Sequence, residues 1–121
     1  MDEQKILVVD DSPTELKMIS RTLQNGGYNV VTAKDGEEAL EIVDVESIKL
    51  VVLDVIMPKL NGFQVCRKLK TSAQHKGIKV ILLTSKDQDS DKFWGKQQGA
   101  DIYMTKPFEA KELLSNISSL I

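Results

Sequence analysis

The chain has 121 residues, 41% of them hydrophobic, which fits one compact domain over residues 1–121 with a sizeable core. Its formal net charge of -2 and sequence pI near 5.4 give no basic footprint for nucleic acid or an anionic membrane surface, so we expect neither nucleic-acid binding nor membrane insertion. The single cysteine excludes an internal disulfide, and the sequence opens with neither a signal peptide nor a long apolar stretch, so a cytoplasmic location is expected.

Strand-like and helix-like segments alternate along the chain, which predicts a parallel sheet with helices on both faces. The first, third and fourth strands are nearly continuous apolar runs, as expected for strands covered on both faces. The second and fifth carry more polar residues and suit the edges of the sheet. The predicted strands are Lys5–Val9, Tyr28–Ala33, Leu50–Asp54, Lys79–Thr84 and Asp101–Thr105.

The predicted helices are marked by capping signals and apolar stripes. The first begins with a capping box over residues 12–15, with proline at its first position, and ends at Gly26 and Gly27. Asp35 with Glu38 begins the second. The fourth spans about 90–98. The third and fifth carry apolar faces, formed by Phe63, Cys66, Leu69 and Ala73 and by Ala110, Leu113, Leu114, Ile117, Leu120 and Ile121.

Acidic side chains stand where two of the buried strands end. Asp10 and Asp11 follow the first strand, and Asp54 closes the third. Because the carboxyl ends of parallel strands form the crevice in which ligands bind, these carboxylates should converge. Clustered like charges repel, so a cation is implied. The candidates are a divalent metal and Lys106, just past the fifth strand.

Magnesium-dependent phosphoryl transfer is the chemistry that this set of residues suits. Mg²⁺ takes oxygen ligands, and Asp10, Asp11 and Asp54 could supply a partial shell. A carboxylate can also attack phosphorus to give an aspartyl phosphate. Such transfer requires positioning and charge neutralisation, which the metal, Lys106 and the Thr84 hydroxyl would provide.

Motifs along essentially the whole chain resemble the receiver domain of two-component response regulators. They are Asp10-Asp11, Asp54 followed by Met57-Pro58 and Gly62, Thr84-Ser85, and Lys106-Pro107-Phe108. The resemblance implies a flavodoxin-like, doubly wound α/β fold with a five-stranded parallel sheet of order 2-1-3-4-5 and five helices. The expected edge positions of the second and fifth strands are consistent with that order.

The resemblance also implies a role for each site residue. Asp54 matches the phosphoacceptor, which takes its phosphoryl group from a phosphohistidine on a sensor histidine kinase or phosphotransfer protein. Asp11, Asp54 and the backbone carbonyl of Ile56 match ligands of Mg²⁺, and Asp10 matches an acid that acts through a metal-bound water. Lys106 matches the lysine that pairs with the phosphoryl oxygens, and its bond to the following proline matches one that is cis.

A switch is implied as well. Thr84 and Tyr103 match a pair in which a hydroxyl moves toward the phosphate and an aromatic ring turns inward. Phosphorylation adds a charge of about -1.5 to -2, and should change the surface of helix four, strand five and helix five. With no output domain expected, the chain would act as a monomer on a downstream protein partner. Its only catalysis would be autocatalytic phosphotransfer to Asp54, so it is not expected to be an enzyme.

Two further resemblances concern lifetime and pathway. Ile56 and Lys86 occupy positions that tune phosphoryl lifetime in the family, and neither could readily orient a water, which predicts slow self-dephosphorylation. Residues 85–100 resemble the corresponding stretch of stand-alone receivers in twitching-motility and phototaxis clusters, which act on type IV pili.

Other interpretations remain open. A flavodoxin-type flavoprotein could share the pattern, although Asp10 and Asp11 put negative charge where a flavin phosphate should bind. A small aspartate-nucleophile phosphatase would need a further general base and a substrate cap, and neither is apparent. A phosphorylation-independent adaptor is the third alternative.

Three side chains outside the acidic site carry expectations of their own. Cys66 is expected to be a buried, inert thiol. Phe93 and Trp94 are expected to pack inside, although Trp94 could instead anchor a partner.

Overall fold

The computed structural model describes residues 5–121, which form five strands and five helices in strict alternation. The strands are β1 (Lys5–Val9), β2 (Asn29–Ala33), β3 (Ile48–Leu53), β4 (Lys79–Thr84) and β5 (Ile102–Thr105). The helices are α1 (Pro13–Asn25), α2 (Gly36–Val45), α3 (Gly62–Thr71), α4 (Asp89–Gln97) and α5 (Ala110–Leu120). Every predicted element is present. Across residues 5–121, no helix has the length and apolar character needed to cross a bilayer.

The five strands form one parallel sheet of order β2-β1-β3-β4-β5. This confirms the predicted fold class, the strand order and the edge positions of the two more polar strands. The register determines where the site forms. Val9 pairs with Leu53, and Asp54 N donates to Val9 O at 3.0 Å, so the residues after β1 and β3 leave the sheet side by side.

The core has two halves, one on each face of the sheet. Successive strand residues point to opposite faces, so alternate positions of β1, β3 and β4 contribute to different halves. The helices α2 and α3 cover one half through residues such as Val43 and Val65, and α1 and α5 cover the other through Ile19, Leu113 and Ile117. These interior strands are therefore apolar on both faces, as the continuous runs in the sequence predicted.

Three side-chain predictions have different outcomes. Cys66 is fully buried, as expected, and burial raises the pKa of its thiol to about 12, so the thiol is inert at neutral pH. The expectation that Phe93 and Trp94 pack inside is wrong, since they are 63% and 53% exposed. The reason is the orientation of α4, whose buried residue is Gly95.

The predicted capping box of α1 forms only in part. Ser12 Oγ accepts from Glu15 N at 3.4 Å, and Pro13 occupies the first turn. The second half of a capping box would bring the Glu15 carboxylate back to Ser12 N. Instead, Ser12 N donates to Asp10 Oδ1 at 2.9 Å. The Glu15 side chain is therefore available for another contact.

Candidate functional site

Three carboxylates meet at the carboxyl edge of the sheet, and we call Asp10, Glu15 and Asp54 the acidic cluster. Each offers one oxygen within 4.8 Å of those of the other two. Asp10 is 1% exposed and Asp54 is 7% exposed, whereas the Glu15 side chain is 36% exposed. The predicted convergence of residues 10 and 54 is therefore present in the structure, and the first turn of α1 adds a third carboxylate to them.

Lys106 contacts every member of the acidic cluster. Its Nζ lies 2.8 Å from Asp10 Oδ2, 3.0 Å from Glu15 Oε1 and 3.1 Å from Asp54 Oδ2. The backbone of Lys106 is fixed at the end of the sheet, because Lys106 N donates to Thr84 O at 2.9 Å. Its peptide bond to the following proline is cis, as the family resemblance implied. The predicted ammonium partner of the carboxylates is thus in place.

The pKa of Lys106 is raised because its neighbours outweigh its burial. Burial alone would lower this pKa. The hydrogen bonds to Asp10 and Glu15 and the charge of Asp54 raise it by more than burial lowers it. The pKa of Asp10 is also raised, because burial outweighs the stabilising contacts of its carboxylate with Lys106 and Ser12 N. One ammonium group therefore only partly compensates the negative charge collected at this edge.

Asp11 does not belong to the acidic cluster. It is exposed at the start of the loop after β1, while Glu15, which sequence reasoning treated only as a capping residue, lies against Lys106. A signal was present in the sequence, since Glu15 stands in the first turn of a helix that begins directly after Asp10 and Asp11. The oxygen donors of Asp10, Glu15 and Asp54 are hard ligands of the kind that Mg²⁺ takes, so this edge fits that ion chemically.

The loop that follows Asp54 is held close to the first turn of α3. Ile56 N donates to Asp54 Oδ1 at 3.2 Å, and Gly62 N donates to Val55 O at 2.9 Å. A Cβ at Gly62 would lie 2.8 Å from the carbonyl carbon of Asp54 and from the Cα of Val55, so only glycine permits this approach. Lys59 turns the loop with a φ of 66°.

The two predicted switch residues are joined through one stretch of backbone. Thr84 is fully buried, and its Oγ1 accepts from Lys86 N at 3.3 Å. Tyr103 OH donates to Lys86 O at 2.8 Å. Burial, followed by the charges of Asp91 and other acids, raises the pKa of Tyr103 to about 12, so its hydroxyl remains a donor at neutral pH. We call these contacts the Lys86 link.

A cavity of about 530 Å³ opens beside the acidic cluster. Asp54 lines it together with Glu15 and Lys106, whereas Asp10 does not. Of the two buried carboxylates, Asp54 is therefore the one that is accessible from this cavity. The full lining comprises Glu15, Met18, Asp54, Ile56, Ser85, Lys106, Pro107 and Phe108.

Comparisons with known proteins agree with this architecture. Residues 6–118 match the family described as "Response regulator receiver domain". The chain is 42% identical over 117 residues to Protein PilH of Pseudomonas aeruginosa, covering 97% of each. It is also 42% identical to the alkaline phosphatase synthesis transcriptional regulatory protein PhoP of Bacillus subtilis over 98% of this chain and 48% of that one. The chain thus spans about half the length of PhoP and of several other curated relatives.

Solved structures give the same result. The chemotaxis protein CheY4 of Vibrio cholerae superimposes with a TM-score of 0.92 at 34% identity, covering 99% of this chain and 100% of that one. A BeF3-activated receiver domain, that of DrrB, superimposes with a TM-score of 0.88 at 38% identity over 98% and 97% of the two chains. Receiver domains are signalling switches of two-component systems and not classical enzymes. Because the match runs through almost all of the described residues, the chain belongs to the response regulator receiver domain family.

Proposed function

We propose that this chain is a phosphorylation-controlled switch that accepts a phosphoryl group on Asp54. The observation that carries the proposal is the position of Asp54, which is a cavity-lining carboxylate 3.1 Å from the ammonium of Lys106. The donor would be a phosphohistidine on a sensor histidine kinase or phosphotransfer protein. A carboxylate oxygen of Asp54 forms the new bond to phosphorus, the bond from phosphorus to the imidazole nitrogen breaks, and the imidazole leaves as the neutral group after taking up a proton.

The residues around Asp54 would supply charge compensation for this transfer. Asp11, Asp54 and the carbonyl of Ile56 would hold Mg²⁺, with Asp10 acting through a water, and the ion would neutralise charge on the phosphoryl oxygens. The oxygen donors of Asp10 and Asp54 in the acidic cluster support their part in this proposal, whereas the role of Asp11 comes from the family resemblance. Lys106 would exchange a carboxylate contact for a phosphoryl oxygen, so its ammonium remains paired before and after transfer.

The Lys86 link would carry the signal to the surface. Phosphorylation gives the Thr84 hydroxyl a new acceptor, so Thr84 Oγ1 would turn toward the phosphoryl group and release Lys86 N. The same peptide segment holds Tyr103, whose ring would then turn inward beside α4 and β5. The exposed side chains of Phe93 and Trp94 on α4 support a protein partner at the surface formed by α4, β5 and α5.

The proposal also extends to the cellular process that the switch controls. The resemblance of residues 85–100 to receivers of twitching-motility clusters, together with 42% identity to Protein PilH, favours an output on type IV pilus motility from a cytoplasmic position. Deletion of the gene from its source organism should then impair pilus-dependent surface motility, and a chain carrying Asp54→Ala should not restore it. Unchanged motility after deletion would contradict the pathway and leave the switch itself unaffected.

Intact-mass measurement tests the acceptor directly. Incubated with Mg²⁺ and acetyl phosphate, the parent should gain the mass of one phosphoryl group, and Asp54→Ala should gain none. A matched control, Asp89→Ala, removes an exposed carboxylate of α4 and should behave as the parent. A parent that gains nothing would favour the adaptor interpretation, and a chain that turns over aryl phosphates many times would favour the phosphatase.

A further inference from the structure

Glu15 is a charged residue of the site to which the proposed transfer assigns no role. Its Oε1 lies 3.0 Å from Lys106 Nζ, on the same ammonium that contacts Asp10 and Asp54. Glu15 also lines the cavity through which a donor would reach Asp54. An acidic residue at this helix position usually accepts a hydrogen bond from the backbone N–H of the N-cap residue, here Ser12. In this chain Ser12 N donates to Asp10 Oδ1 instead. The Glu15 side chain instead extends into the site.

Phosphorylation would change the charge balance around this carboxylate. The phosphoryl group brings a charge of about -1.5 to -2, and its oxygens need Lys106. Glu15 would then hold a negative charge next to the phosphoryl group and compete with it for the same ammonium. A phosphodonor, which is itself an anion, would meet that charge at the cavity before it reached Asp54.

We propose that Glu15 acts as an electrostatic brake, which keeps Lys106 occupied in the unphosphorylated state and disfavours both entry of the anionic donor and the phosphorylated state. The proposal rests on Asp54 being the acceptor. Glu15 is in this sense a positioning residue, because it acts on the reaction through Lys106 and through its charge. At low donor concentration, the chain with Glu15 is phosphorylated less readily than it would be without the Glu15 carboxylate.

If Glu15 were instead a metal ligand, removing it would change the rate of phosphorylation in the opposite direction. Its oxygen lies within 4.8 Å of oxygens of Asp10 and Asp54, so this possibility has a geometric basis. Removing a ligand weakens metal binding and slows phosphorylation, whereas removing a brake speeds it. The direction of the change in rate therefore separates the two roles.

The experiment compares the parent with Glu15→Gln, Glu15→Asp and Glu37→Gln. Glu15→Gln removes the charge at nearly constant size, and Glu15→Asp keeps the charge. Glu37→Gln removes the same charge from the exposed first turn of α2. Phosphoryl gain from acetyl phosphate is followed by intact mass at subsaturating and at saturating Mg²⁺, each at low and at about 1 M ionic strength. Thermal unfolding shows that each variant folds.

We expect Glu15→Gln to take up the phosphoryl group about fivefold faster than the parent at low salt, the factor for one unit charge about 4 Å away in water. Its phosphorylated fraction at subsaturating donor should also rise. The difference should shrink at about 1 M salt, where the Debye length is about 3 Å. Glu15→Asp and Glu37→Gln should remain close to the parent.

Three outcomes would overturn the brake. They are a Glu15→Gln rate within twofold of the parent, a slower rate, or the same acceleration in Glu15→Asp as in Glu15→Gln. The last would show that shape and not charge is responsible. These failures are distinct from failure of the proposed function, in which the parent itself gains no phosphoryl group and no variant can be compared.

Discussion

Gly95, the buried residue of α4, offers a sharp test of how this helix is coupled to Tyr103. A Cβ at Gly95 would lie 2.7 Å from Cδ2 and 3.0 Å from Cε2 of the Tyr103 ring, and 3.1 Å from Cδ1 of Leu82. Carbon atoms pack at about 3.5–4.0 Å, so a methyl group displaces one of these neighbours. Leu82 is fully buried and Tyr103 is only partly buried, so the ring is the group that should move.

The expected change in the free energy of unfolding combines one stabilising contribution with two destabilising ones. Alanine favours the helix over glycine by about 1 kcal/mol. Overpacking costs about 1–3 kcal/mol, and loss of the hydrogen bond from Tyr103 OH to Lys86 O costs about 1 kcal/mol. Gly95→Ala should therefore lower the free energy of unfolding by about 1–3 kcal/mol.

Urea unfolding measures this loss, with Gly77→Ala as the matched control. A Cβ at Gly77 would meet no heavy atom within 4 Å, so that variant should be at least as stable as the parent. In a Tyr103→Ala background the ring is absent, and Gly95→Ala should cost at least about 1 kcal/mol less than in the parent. The reasoning fails if Gly95→Ala is as stable as Gly77→Ala, or if its cost is equal in the two backgrounds.

The remaining predictions concern the site, its loop and the core. The raised pKa of Asp10 means that the folded state keeps this proton above the ordinary value of 3.8, so stability falls as the pH rises through that window. Without metal, Asp10→Asn should therefore be more stable than the parent at pH 7, and the difference in the free energy of unfolding should shrink toward pH 4. Chemical unfolding of both proteins at the two pH values measures this difference. A difference that does not change with pH would contradict the prediction. Lys59→Gly removes a left-handed backbone penalty and should stabilise the fold by about 0.5–1 kcal/mol in urea. Leu113→Ala, at a fully buried position of α5, should cost about 2–5 kcal/mol in the same assay. Ile56→Asn should speed loss of the phosphoryl group, followed by intact mass after donor removal; a parent that decays as fast would refute the predicted slow self-dephosphorylation.

The fold could be predicted because several independent signals in the sequence agree. Continuous apolar runs identified the strands that are covered on both faces, and the more polar strands β2 and β5 are indeed the edges. The positions of Asp10 and Asp54 followed from the same pattern, since residues after neighbouring parallel strands must leave the sheet at one edge. Lys106 was predictable for the same reason, because it directly follows β5.

Other features depend on packing that a linear sequence does not encode locally. Glu15 has two candidate partners, Ser12 N and Lys106, and only the fold shows that Asp10 takes the first. Trp94 is apolar and lies on a helix, yet that helix approaches the sheet through a glycine, so hydrophobicity alone gave the wrong burial.

The main-chain nature of the Lys86 link determines which substitutions it can tolerate. Both of its hydrogen bonds use main-chain atoms of residue 86, the N–H toward Thr84 and the carbonyl toward Tyr103. The side chain at this position is therefore free to vary by mutation without breaking the connection. A substitution at residue 86 should therefore keep the connection between the buried Thr84 hydroxyl and the Tyr103 ring, whatever it does to the contacts made by the side chain at that position.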